Sequence, residues 1–184
     1  MAPVGVLAML PMQRCTACVT DAVVGLFQDG SSSTGEEKRL YKHLLLPTDG
    51  SLLSEVAVRH CMQFARDAGA KVTGFYAMPE FQVLTYKAEM LEDTREEFEK
   101  HARAQAEKIL SFVKESAQAQ GVACDTTTST ADHPWAAIIQ TAREHGCDLI
   151  FMASHGRGGL AGLLLGSETQ KVLTHSKIPV LVHR

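Results

Sequence analysis

Two stretches carry residue types that could do chemistry: HGRGGLAGLLLGS at residues 155–167 and PTDGS at residues 47–51. In the first, glycines at 156, 158, 159 and 162 give the backbone access to positive φ and bring N–H groups toward an anion with no Cβ in the way. Gly166 and Ser167 open a helical pattern, where unpaired N–H groups and the helix dipole favour phosphate and the serine hydroxyl adds a donor. Arg157 would add positive charge. His155 suits contact with a phosphate or a backbone group better than catalysis, because no partner residue is in view to tune it. In the second stretch Asp49 ends an apolar run, and its carboxylate could accept hydrogen bonds from a base or a ribose. Both stretches also have a plainer reading. The glycines can form a flexible turn before Leu163, Leu164 and Leu165 enter the core, and Asp49 or Ser51 can cap the next helix.

Several other chemistries are unsupported. G-x-x-x-x-G-K-[ST] is absent, because Gly162 to Gly166 has the wrong spacing and no lysine follows. No G-x-G-x-x-G follows the first apolar run, and no Ser-His-Asp set, paired carboxylates or G-x-S-x-G elbow can be assembled, so no catalytic residue is named. Cys15 and Cys18 form C-T-A-C without a second ligand pair, and the remaining histidines show no recurring metal spacing.

These stretches need elements to position them. Residues 29–39, DGSSSTGEEKR, have linker composition, so residues 1–40 read as a poorly ordered extension and residues 41–184 as the domain. From Tyr41 onward short apolar runs alternate with helical patterns. KHLLLPTD, KVTGFYAMP, VACDTTTST, DLIFMAS and IPVLVHR read as strands. Between them, SLLSEVAVRHCMQFARDAG, residues 87–120, HPWAAIIQTAREHG and LLGSETQKVLTHS read as helices. The alternation, with nearly continuous apolar strands, predicts an open, doubly wound α/β fold with a parallel sheet covered on both faces. In such sheets ligands sit beyond the carboxyl ends of the strands, which selects PTDGS, YAMPE and SHGRGG.

The net charge of -3, with 21% charged and 45% hydrophobic residues, is ordinary globular composition and gives nucleic acid no electrostatic footprint. Five scattered cysteines make no disulfide framework and fit a reducing compartment. The apolar amino-terminal stretch is broken by Pro3 and Pro11, lacks a leading basic residue and is too short to span a bilayer, so a cytoplasmic protein without a membrane segment is expected.

From Tyr41 to Arg184 the chain resembles the universal stress protein family, through HLLLPTDGS, the long second helix and MASHGRGGLAGLLLGSETQKVLTHSKIPVLV. The nucleotide-binding branch of that family carries G-x2-G-x9-G-[ST]. Ala153, Gly156, Gly166 and Ser167 match it with the nine-residue spacing intact and an alanine in the first place. The resemblance implies five strands in the order 3-2-1-4-5, ATP at the switch point with Mg2+ or Mn2+ at its phosphates, and a homodimer built through the last strand. It places Pro47, Thr48 and Asp49 at the adenosine end, with Ala77, after the second strand, meeting adenine through its backbone. Met152, Ala153, His155 and Gly156 would hold ribose and phosphates, and Gly166, Ser167 and Glu168 would close around the phosphate tail. The implied function is a stress-response regulator or nucleotide-dependent switch, with slow ATP hydrolysis at most. The alternative is a dimeric interaction or chaperone-like member of the family that binds no nucleotide. Two physical expectations accompany the site. An alanine at 153 costs affinity if that position needs positive φ or a close approach, and a carboxylate at 168 repels a triphosphate unless it points away or meets a cation.

Overall fold

The computed structural model describes residues 40–81, 91–156 and 165–184, residues 91–94 by their backbone only. The extension with Cys15 and Cys18, residues 87–90, and residues 157–164 with Arg157, Gly158, Gly159 and Gly162 lie outside the described residues.

The chain alternates strand and helix throughout: β1 His43–Pro47, α1 Leu52–Ala68, β2 Lys71–Met78, α2 Leu91–Gln120, β3 Cys124–Thr130, α3 Pro134–Glu144, β4 Leu149–Ala153, α4 Ser167–His175 and β5 Val180–His183. The sheet has the order β3-β2-β1-β4-β5, with every pairing parallel. Leu44 is aligned with Val72 on one side and Leu149 on the other, and Ile150 with Val180.

Side chains alternate across a strand, and here both sets are apolar because both faces are covered. Leu44, Leu46, Val72, Leu149 and Phe151 point to one face, where they pack with Ala57, Val58, Cys61 and Met62 of α1 and Ile109, Leu110 and Val113 of α2. Leu45, Phe75, Ile150 and Met152 point to the other, against Ile138, Ile139 and Ala142 of α3 and Val172 of α4. At Gly74 α2 lies so close that a Cβ would sit 2.8 Å from Cγ1 of Val113, so only glycine fits between sheet and helix there. β3 departs from the expected apolar run. Its sequence is CDTTTST and every residue is exposed or half-buried, as suits a sheet edge.

Local signals fix the element ends. Ser51 caps α1 by accepting from the Ser54 N–H at 3.3 Å, and Gly69 ends the helix at φ 63. The N–H groups of Lys42 and His43 donate to the Asp148 carboxylate at 2.8 and 3.0 Å, which ties the start of β1 to the start of β4. Buried His43 shares a 2.8 Å hydrogen bond between Nε2 and Oγ1 of Thr73. Burial pushes the thiol of Cys147 up to about 11 and that of Cys61 higher still, so both behave as small core residues. No helix among the described residues is long and apolar enough to cross a membrane.

Candidate functional site

β1 and β4 are adjacent, but the connections leaving them run to opposite sides. α1 carries the chain toward β2 on one face and α4 carries it toward β5 on the other. Their carboxyl ends therefore splay, and an open sheet has its crevice at this point. A cavity of about 980 Å³ occupies it, at the upper end of the size range of small-molecule sites. Its wall brings together Pro47, Thr48 and Asp49 from the end of β1, Ala77 from β2, and Met152, Ala153, His155 and Gly156 from the end of β4. Gly166, Ser167 and Glu168 from the start of α4 complete the set of residues named from the sequence.

The first-strand turn is held by its own side chains. Oγ1 of Thr48 and Oγ of Ser54 lie 2.5 Å apart, and Oδ1 of Asp49 accepts from the Ser51 N–H at 3.0 Å. The cap of α1 is thus Ser51, and Asp49 is held in a side-chain turn beside the cavity. Gly156 approaches the same carboxylate from β4. A Cβ there would run into the Asp49 side chain, with Cγ of Asp49 only 3.3 Å away.

The two described glycines of the motif are used without positive φ. Among the described glycines, Gly50, Gly69, Gly121 and Gly146 have positive φ, and Gly156 and Gly166 do not. Gly166 is the N-cap of α4 at φ -69 and ψ 156, and its N–H donates to the Ser154 carbonyl at 2.8 Å. An anion at this helix would therefore meet the N–H groups that follow it, because the first helical turn has no intrahelical partners for them.

Ala77 needs a correction: it lies inside β2, not after it, aligned with Ser129 of β3. In a parallel ladder successive residues direct their peptide groups to alternate neighbours. The Phe75 carbonyl accepts from Thr48 at 2.9 Å on the β1 side, and the Met78 carbonyl accepts from Ala131 at 3.0 Å on the β3 side. Ala77 therefore turns its N–H and carbonyl toward β1, which has already ended at Pro47. That peptide edge borders the cavity instead of a strand.

The structure bears on one half of each expectation, the backbone at Ala153 and the pairing of Glu168. Ala153 ends β4 in ordinary extended pairing with His183, and its carbonyl accepts from Oγ1 of Thr169 at 3.1 Å. Its position requires no left-handed backbone. Glu168 meets a cation: Oε1 pairs with Nζ of Lys171 at 2.9 Å, and Oε2 accepts from the Trp135 N–H at 2.9 Å. It thereby caps α3 from the neighbouring helix, where the N-cap residue His133 makes no side-chain bond.

Sequence reasoning missed the far wall, where Ala131 and Asp132 follow β3 and Phe81 and Phe98 meet with ring centroids 5.4 Å apart. The carboxyl-end rule covers the turn after β3 as well, and that turn was the available signal. Nδ1 of His155 lies 3.2 Å from Oγ of Ser154, and Nε2 is buried without a partner among the described residues. Among the described residues no three histidine, cysteine or acidic side chains are grouped to hold a metal ion.

Comparison with known proteins agrees with this fold. The universal stress protein family profile matches residues 40–184. Universal stress protein MJ0531 of Methanocaldococcus jannaschii is 30% identical over 145 residues, 79% of this chain and 83% of that protein. The solved structure of MJ0577, from the same organism, superposes with a TM-score of 0.66 at 28% identity, covering 77% of this chain and 94% of that one. A universal stress protein solved in complex with cAMP superposes with a TM-score of 0.59 at 29% identity, covering 78% and 97%. Sheet order, the turn after β1 and the matched profile make the chain a member of the universal stress protein family.

Proposed function

We propose that this chain binds an adenine nucleotide, ATP among its ligands, and acts as a nucleotide-dependent switch in a stress response, as a cytoplasmic homodimer. The observation that carries the reading is the cavity where Asp49 and Gly156 meet across the splayed ends of β1 and β4, beside the Ala77 peptide edge, which faces no strand among the described residues. A planar base needs a donor and an acceptor on one edge, and the Ala77 peptide offers both. A ribose needs an acceptor for its hydroxyls, which is the role assigned to Asp49. Phosphates need N–H groups without a Cβ in the way, and Gly156 and the first turn of α4 supply them, with His155 alongside. Pro47, Thr48, Met152 and Ala153 shape the floor of the site. The cAMP-bound relative supports the ligand class.

The unpaired Cys61, Cys124 and Cys147 suit a reducing compartment, and β5 at the sheet edge suits strand pairing between two copies. Thermal unfolding with AMP, with ATP and magnesium, and with GMP as control tests the assignment. A ligand at a hundredfold excess over its Kd stabilises by about 2.7 kcal/mol, on the order of 5–10 °C for a domain of this size. Adenine nucleotides are expected to give that rise. Equal melting temperatures with and without them would favour the family's nucleotide-free interaction modules.

A further inference from the structure

Glu168 lines the cavity from the first turn of α4, directly after Ser167, and it is held in place from two sides. Its Oε2 accepts the Trp135 N–H at the start of α3, and its Oε1 pairs with Lys171 one turn further along α4, each at 2.9 Å. The carboxylate cannot turn away without leaving a partly buried N–H unpaired. Lys171 itself does not line the cavity. The described residues that do include Asp49, Glu80, Asp132 and Glu168 but no lysine or arginine. Among the described residues, a phosphate chain at the first turn of α4 therefore meets a fixed negative charge whose counter-ion, Lys171, is not one of the lining residues.

We propose that Glu168 is a specificity-determining residue: it fits the cavity to an adenine ligand with one phosphate, linear or cyclic, and makes a polyphosphate depend on a divalent cation. The inference rests on the nucleotide reading above. Each added phosphate brings at least one more negative charge toward Glu168, so the penalty grows along the chain while the base and ribose contacts stay the same. A cation bound to the phosphate oxygens removes that penalty, and Glu168 then becomes a favourable neighbour. The bond to Trp135 keeps this charge in the site whether or not a ligand is present.

The test is calorimetric titration of the full chain with AMP, with ATP in a chelator, and with ATP and magnesium, for the wild type, Glu168→Gln and Lys171→Ala. The amide of Glu168→Gln still accepts from Trp135, and it removes the charge together with the ion pair to Lys171. The wild type is expected to bind AMP at least about tenfold more tightly than metal-free ATP. Glu168→Gln should close most of that gap by tightening metal-free ATP, with AMP changed by less than about twofold. Lys171→Ala, which leaves the carboxylate uncompensated, should widen the gap and gives a reading of its own if Glu168→Gln folds poorly. A ratio of the two affinities that stays the same in both variants overturns the role of Glu168 while leaving nucleotide binding intact. Absence of binding by any of the three ligands to any of the three proteins overturns both.

Discussion

A methyl group at Gly156 would collide with the Asp49 carboxylate, whereas one at Gly166 would find His155 Cα and Ser154 O at 3.4 Å and a backbone at φ -69. The two glycines of the motif therefore differ in tolerance. Gly156→Ala is expected to cost about 1–3 kcal/mol and to weaken nucleotide binding by displacing Asp49. Gly166→Ala should cost less than about 1 kcal/mol, as a poorer N-cap only. Urea unfolding of both variants checks the ordering. His43 carries a second expectation. Its burial, then the nearby Lys71, hold its pKa below the ordinary 6.5, and burial followed by His60 does the same for His183. Between the folded and unfolded values the unfolded chain binds more protons, so this stability is fully present above about pH 6.5 and is lost as the pH falls through the folded values. The urea midpoint should fall from pH 7.5 to pH 5, less steeply in His43→Gln; a flat profile in the wild type would contradict this. At this scale the sequence reveals side chains and hides peptides. Asp49 and Gly156 stand out in the sequence as strand-end residues and Ser167 as the opening of a helix, each with a plainer use beside it, but the Ala77 methyl carries no sign of where its peptide faces. Phe98 reads as one more apolar position of a long helix, and its place on the cavity wall depends on how that helix crosses the sheet.

The helices α3 and α4 are joined through their ends more than through propensity. Glu168 of α4 caps α3 at Trp135, and the ring of Trp135 lies 4.8 Å from that of His175 at the other end of α4. Glu168→Ala is expected to destabilise the fold by about 1–2 kcal/mol, and Glu168→Gln by less, because only the first leaves the Trp135 N–H unpaired. Chemical denaturation followed by tryptophan fluorescence reads this directly, since Trp135 is the single tryptophan of the chain. Most elements were legible. Leu44–Leu46 and Leu149–Met152 are unbroken apolar runs because helices cover both faces, and Ser51 and Gly69 mark the ends of α1 by their cap chemistry. β3 forms a strand without an apolar run, because its β-branched threonines suit a pleated edge and its edge position requires few apolar residues. The cap of α3 was not legible at all, because its acceptor comes from a helix 33 residues further on.

For the whole molecule the feature that reaches beyond one chain is the outer edge of β5. The Ile150 N–H donates to the Pro179 carbonyl and the Ser154 N–H to the His183 carbonyl, so Pro179, Leu181 and His183 direct their peptide groups to β4, and Val180 and Val182 direct theirs outward. A short apolar strand with outward peptide groups is a template for pairing with a second copy. Light scattering at micromolar concentration is expected to give twice the 20.0 kDa of one chain. Val182→Pro removes one outward N–H and no bond to β4, and should yield a folded monomer. The strand order followed from a family resemblance, and the outward direction of Val180 and Val182 only from the register, which no sequence pattern specifies. Nucleotide binding at the β1/β4 crevice is the central claim, and calorimetric titration of the full chain and of Gly156→Val with AMP tests it most directly. The account predicts saturation at one AMP per chain below millimolar concentration for the wild type, and loss of that heat in a Gly156→Val protein that remains folded. No saturable heat from the wild type at millimolar AMP, or equal binding by the variant, would contradict it.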